Sequence, residues 1–216
     1  TLDNIAPTLT DTHISVAGAS GTSGVFIAGD TVTANWNNTV SGDNNSDTIT
    51  GVTFDFSTFG GSSNVSAVNS SGTWTAQYLL PTGSITTTNL NVSATATDNA
   101  GNTTTTADTT NSSVNNNVPS QPAAPTLDAS SNTGAATDNI TSDATATITG
   151  TTDANVVVEV FVNGISQGTS TADGNGDWSF TIPNGALTEG DNTVTVTSSD
   201  LAGNTSTASN ELTIIL

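Results

Sequence analysis

Alternation with period two runs through almost the whole chain, and no window carries a convincing period of 3.6. In LNVSATATD, residues Leu90, Val92, Ala94 and Ala96 fall on one face, with Asn91, Ser93, Thr95 and Thr97 on the other. NTVTVTSSD sets Val194 and Val196 against Thr193, Thr195 and Thr197 in the same way. Half-buried strands require this pattern, so the fold class is all-β. VVVEVFVNG is apolar on both faces apart from Glu159, as a central strand must be, and it runs into the hairpin pair Asn163-Gly164.

The pattern occurs twice. SSGTWTAQYLL (Ser70 to Leu80) matches GNGDWSFTIP (Gly174 to Pro183), each a glycine-containing turn followed by Trp. DNAGNT, from Asp98, and DLAGNT, from Asp200, close equivalent runs a domain length apart. Between the halves, SSVNNNVPSQPAAP (Ser112 to Pro125) is polar, proline-rich and without strand pattern, and reads as a short, stiff linker. The strands expected in the first half lie near 12–18, 30–36, 50–58, 63–69, 73–80, 90–97 and 103–110. In the second half they lie near 126–129, 145–150, 156–163, 165–172, 178–182, 192–199 and 205–215. About seven strands in about 100 residues is the size of an immunoglobulin-like sandwich. The expected organisation is therefore two tandem immunoglobulin-like β-sandwich domains, 1–116 and 117–216, in an extended arrangement. Trp36, Trp74 and Trp178 are expected between the sheets.

Charge restricts what such domains do. Nineteen carboxylates face no Lys or Arg, and His13 is the one other titratable cation. Salt bridges to Lys or Arg are impossible, so clustered carboxylates must meet water, backbone N–H groups or a cation from solution. Nucleic acid and anionic lipid are excluded as partners, because phosphate contacts need Lys and Arg. The chain has no Cys, hence no disulfide or thiolate metal site. No signal peptide and no apolar run near 18 residues stands in the sequence, so membrane insertion is not expected; the missing start methionine and the apolar end ELTIIL make the chain read as a piece of a longer one.

Calcium makes sense of the acidic turns. It takes six to eight oxygens from carboxylates, amides and carbonyls. Asp98 supplies a carboxylate, Asn102 an amide oxygen, and Gly101 the positive φ that curls the turn. With seven antiparallel strands, the turn after the sixth lies at the amino-terminal pole, beside the incoming segment. Asp3 then adds a second charge in the first half. The same parity brings Asp43 and Asp47 to that pole, and Asp153, Asp173 and Asp177 to the equivalent pole of the second half.

LDNIAPT, ATDNAGNT, DNITSDATATITGTTD, GNGDWSFTIP and SSDLAGNTSTASNELTI resemble the bacterial Ig-like repeats of giant, type I-secreted, biofilm-associated adhesins. The second half resembles them along nearly its whole length, the first mainly at its two ends. The resemblance implies an extracellular segment at the bacterial cell surface, stacked against neighbouring repeats of the same chain and stiffened by calcium. By position it implies metal ligands at Asp3, Asp98 and Asn102, and at Asp138, Asp200 and Asn204; the pole-sharing Asp153 joins them. Asn115, Asn116 and Asn117 stand where the family's linker carries Asp, which weakens a junction site. Asp138 falls at the opposite pole, near Asp143, Glu189 and Asp191, as a site within its domain.

Other chemistry finds little support. DGNGD (Asp173 to Asp177) lacks the helices and final Glu of an EF-hand and reads as a hairpin turn. One His leaves no zinc pair and no room for a Ser-His-Asp arrangement, so the chain is not expected to be an enzyme. Two functions follow: a calcium-stabilised spacer holding a distant tip that binds a host-cell, glycan or surface ligand, or a module that itself binds carbohydrate or protein. The surface expected for the second is WNNTVSGDNNSD, Trp36 to Asp47.

Overall fold

Each alternating run becomes a strand whose apolar set turns inward. The computed structural model describes residues 3–133, 135 and 138–216, so Leu2 of LDNIAPT lies outside the described residues. The chain divides into two units, Thr1–Asn117 and Val118–Leu216.

The first unit contains β1 (Ile14–Ala17), β2 (Val25–Phe26), β3 (Thr31–Asn37), β4 (Ile49–Asp55), β5 (Val65–Ser66), β6 (Val68–Ser70), β7 (Thr73–Leu79), β8 (Thr86–Leu90), β9 (Ser93–Asp98), β10 (Thr103–Ala107) and β11 (Ser112–Asn115). They form two four-stranded antiparallel sheets, β1-β3-β7-β6 and β10-β9-β4-β5, and a small third sheet, β2-β11-β8. Val32, Ala34 and Trp36 of β3 meet Phe54 of β4 and Ala94 and Ala96 of β9 in one core, closed by Phe26, Phe56 and Phe59. Trp36 and Trp74 are cross-strand partners, both buried as their pattern requires.

The third sheet departs from the expected organisation. Ser112–Asn115, read from sequence as linker, is β11, paired parallel with β2 and antiparallel with β8. Val114 fills the core, and Asn116 beyond it is 2% exposed. The Asn116 side chain supplies the missing partners of a nearby loop. Its Nδ2 donates to the Pro81 carbonyl at 2.8 Å, and its Oδ1 accepts from Ile85 N–H at 2.8 Å. Buried backbone groups need such partners wherever no ladder reaches them.

The second unit holds β12 (Thr126–Leu127), β13 (Thr147–Thr151), β14 (Val157–Val162), β15 (Ile165–Thr171), β16 (Asp177–Thr181), β17 (Asp191–Ser199) and β18 (Leu212–Ile215). Sheets β12-β13-β16 and β15-β14-β17-β18 face each other across Ile148, Val158, Val160, Trp178, Val194, Val196 and Ile214. Trp178 lies on Gly150, where an added Cβ would stand 2.6 Å from ring atom Cζ2. The last strand is shorter than the 205–215 expected. Residues Ser206 and Ser209 still follow β17, but their hydroxyls replace ladder partners: each accepts at 3.0 Å, from Ser198 N–H and Val196 N–H respectively. Both units are thus immunoglobulin-like sandwiches, the first enlarged by its third sheet.

Candidate metal centre at the acidic turns

Asp98 continues the inward-facing set of β9 after Ala94 and Ala96, so its carboxylate falls at the rim of the core and is 2% exposed. A carboxylate taken from water needs donors, and the turn supplies them. Oδ1 accepts from the N–H groups of Ala100 and Asn102, both at 2.8 Å, and Oδ2 accepts from Asn102 Nδ2 at 2.9 Å. Gly101, at φ 91°, allows the chain to fold back so that its N–H meets the Asp98 carbonyl at 3.3 Å. The Asn102 amide, helped by the backbone N–H groups of Asn102, Ala100 and Gly101, holds the Asp98 carboxyl below its ordinary pKa against the opposing effect of burial.

Asp200 repeats the geometry. Its Oδ1 accepts from Gly203 and Asn204 N–H groups at 2.8 and 2.9 Å, and its Oδ2 from Asn204 Nδ2 at 2.9 Å. Asn204 is 2% exposed. The two turns are one device built twice.

The remaining sequence-derived ligands divide by position. Asp3 stands beside the Asp98 turn: its carbonyl lies 3.5 Å and that of Ile5 3.2 Å from Asn102 Nδ2, while its own Oδ1 accepts from Ile5 N–H at 3.1 Å. Three oxygens, Asp98 Oδ2 and these two carbonyls, therefore surround the Asn102 amide nitrogen, whereas sequence reading gave that amide an oxygen donor's role. Asp153 accepts from Ser120 N–H at 2.7 Å, and Ser198, two residues before Asp200, donates to the Ser120 carbonyl at 3.4 Å. Asp153 and the end of β17 thus meet at the start of the second unit. Asp138 is separate. Its oxygens accept from Ala135 and Ile140 N–H groups, and Ile140 bridges to Ile215 of β18. Among the described residues, no three His, Cys, Asp or Glu side chains gather as metal ligands. DGNGD is a self-bonded turn, with Asp173 Oδ1 accepting from Asn175 and Asp177 N–H groups.

Residues 118–215 match the family model of the bacterial Ig-like domain, which is nearly the whole second unit, with its acidic turn and the Asp153–Ser120 contact inside the match. The second unit belongs to the bacterial Ig-like domain family. No curated protein matches the chain. Among solved structures it is similar to the fibronectin(III)-like modules of Clostridium thermocellum CbhA, at 20% identity over 94% of this chain and 93% of that one, TM-score 0.44. It is also similar to the calcium-stabilised adhesin with which an Antarctic bacterium binds ice, at 22% identity over 98% of this chain and 48% of that one, TM-score 0.42. A third is a 1.5-MDa bacterial ice-binding adhesin, at 22% identity over 98% of this chain and 65% of that one, TM-score 0.36. The chain spans less than two thirds of each adhesin structure. Among the described residues no helix is long and apolar enough to cross a membrane.

The bacterial Ig-like domain holds its own leading segment through Ser120, through Gln121 Nε2 donating to the Ala208 carbonyl at 2.6 Å, and through Ala123 N–H. The first unit does the same, with Asp43 that sequence reading had brought to this pole and with threonines it had passed over. Thr104 and Thr106 hydroxyls donate to the carbonyls of Pro7 and Leu9 at 2.6 and 2.7 Å. Asn45 brackets Thr8, accepting from its N–H and donating to its carbonyl, both at 2.7 Å. Asp43 takes Thr10 N–H and Oγ1, Trp36 Nε1 at 2.7 Å and His13 Nδ1 at 2.9 Å. The signal for this was present in TTTTADTT, where alternate Thr residues occupy the inward face of β10 that an ordinary core would make apolar.

Proposed function

We propose that the chain is a structural spacer segment of a large bacterial surface adhesin, exported from the cell and stabilised by calcium at its acidic turns. Its partners are neighbouring Ig-like repeats in the same chain, and the tip that binds a host-cell, glycan or surface ligand lies elsewhere in the protein. The observation that carries this reading is the pinning of each unit's leading segment to the body it enters, next to an acidic turn. A spacer must resist hinging where one repeat follows another, and fixing the connecting backbone to the sandwich removes that freedom.

The donor set fits calcium in kind. Asp98 Oδ2 and the Asp3 and Ile5 carbonyls already surround one point, now held by an amide nitrogen, and a chain without Lys or Arg draws its counter-cations from solution. Asp3, Asp98 and Asn102, with the amide turned to present its oxygen, would hold the ion in the first unit. Asp153, Asp200 and Asn204 would do so in the second, with Asp138 serving a separate site inside that domain. Bound calcium would supply a multi-oxygen crosslink between leading segment and turn.

Direct recognition through the 36–47 loop is the competing reading. Val40 stands exposed at its tip, but much of the loop's polar capacity is spent on itself and on residues 8–13. Glycan arrays and immobilised cell-surface proteins, probed with the 216-residue chain, distinguish the two. The spacer reading expects no saturable binding. Saturable binding abolished by shortening residues 38–42 would overturn it.

A further inference from the structure

We propose that the first unit bears tension through a side-chain-stitched clamp between residues 5–11 and residues 102–109; its purpose rests on the spacer reading, its existence does not. The two segments run parallel, because their partners rise together. Ile5, Pro7 and Leu9 offer carbonyls to Asn102, Thr104 and Thr106, and Asp11 takes Thr109 N–H and Oγ1 at 2.8 and 2.6 Å. The even-numbered residues are held from the opposite edge, Thr8 by Asn45 and Thr10 by Asp43. This segment therefore occupies a strand's position without a backbone ladder. Pro7 has no N–H to give a ladder, and the hydroxyls of alternate Thr residues take its place.

The arrangement dictates how force acts. Tension on the leading end pulls residues 5–11 lengthwise past β10, which β9 fixes in the body through a five-residue register. The bonds on both edges are then loaded together in shear, not opened one at a time from an end. On the far side, β11 is held between β2 and β8, and Asn116 is bonded to residues 81–85, so the trailing end does not peel first.

The experiment is single-molecule stretching of the 216-residue chain held at its two ends, comparing wild type with T104V/T106V and T104S/T106S. Valine keeps the branched shape and removes the hydroxyl; serine keeps the hydroxyl. The valine double should lower the force of one of the two unfolding events and leave the other unchanged. Each lost bond should speed that unfolding about fivefold at fixed load, and the serine double should unfold near the wild-type force. Should the valine double not fold, T104V and T106V singly carry the same comparison. A second geometry separates a clamp from general weakening. The chain has no cysteine, so T12C places one handle beyond the clamped segment, and from there valine and wild type should unfold alike. Unchanged force from the chain ends, or an equal loss in both geometries, would overturn the clamp. Neither result touches the spacer reading, which the binding assay and the calcium dependence of unfolding test.

Discussion

Asn116 is one residue from the end of the first unit, in a run of three asparagines, and it behaves as a core residue. Its two amide atoms satisfy the Pro81 carbonyl and the Ile85 N–H, while its own backbone bonds Gly83 and Ile85. N116A leaves a buried donor and acceptor without partners, which costs about 2 kcal/mol or more. Thermal unfolding of the first unit should shift down by about 10 °C, whereas N117A, on an exposed neighbour, should leave it unchanged. This role was not legible in the sequence, because side chain to backbone bonds follow no period and Asn also reads as a linker residue. The acidic turns were legible for the opposite reason. Asp98 and Gly101 have local tasks, capping N–H groups and adopting positive φ, and local tasks leave a local pattern. What that pattern did not carry was the side of the Asn102 amide facing Asp98, since nitrogen and oxygen differ only in their partners.

Strands with a strict apolar alternation, such as β9 and β17, were readable because a one-residue slip would turn their core faces to solvent. Other elements were not, and β2 and β8 match no expected strand. β11 carries one apolar residue, Val114, among Ser and Asn, too sparse an alternation to count. The 205–211 stretch breaks the alternation: its buried places, Ser206 and Ser209, stand three residues apart, and their hydroxyls bond β17 in place of a regular ladder. Residues 5–11 bury only Pro7 and Leu9 between exposed Ala6, Thr8 and Thr10, an alternation too short to read as a strand. At this scale the valine-for-threonine comparison on β10 is decisive: a merely solvating row of Thr would not make the unfolding force depend on two hydroxyls.

The whole molecule carries a formal charge of −19 with no Lys or Arg to oppose it, so its response to protons and cations is the broadest statement of how it is held together. Bonds from Thr109, Asn102, Ser130, Thr145 and Asn175 hold Asp11, Asp98, Asp128, Asp143 and Asp173 below their ordinary pKa. In Asp43 burial pushes upward, and the Thr10 and Trp36 donors outweigh it. A carboxyl whose pKa is lower folded than unfolded stabilises the fold above its unfolded value and ceases to do so as pH falls through the folded one. The thermal midpoint should therefore hold between pH 7 and pH 5 and fall below about pH 4; a fall already complete by pH 5 would contradict this assignment.

The calcium-stabilised spacer is tested most directly by thermal unfolding of the 216-residue chain in EDTA and in millimolar calcium, with magnesium as control. Extracellular calcium modules bind at about 10⁻⁴–10⁻³ M, so millimolar calcium should raise the midpoint by roughly ten degrees where magnesium does not. D98A should remove the rise from the first unit and D200A from the second. An unchanged midpoint would contradict the account, leaving both acidic turns as self-bonded loops and the stitched backbone as the source of stiffness.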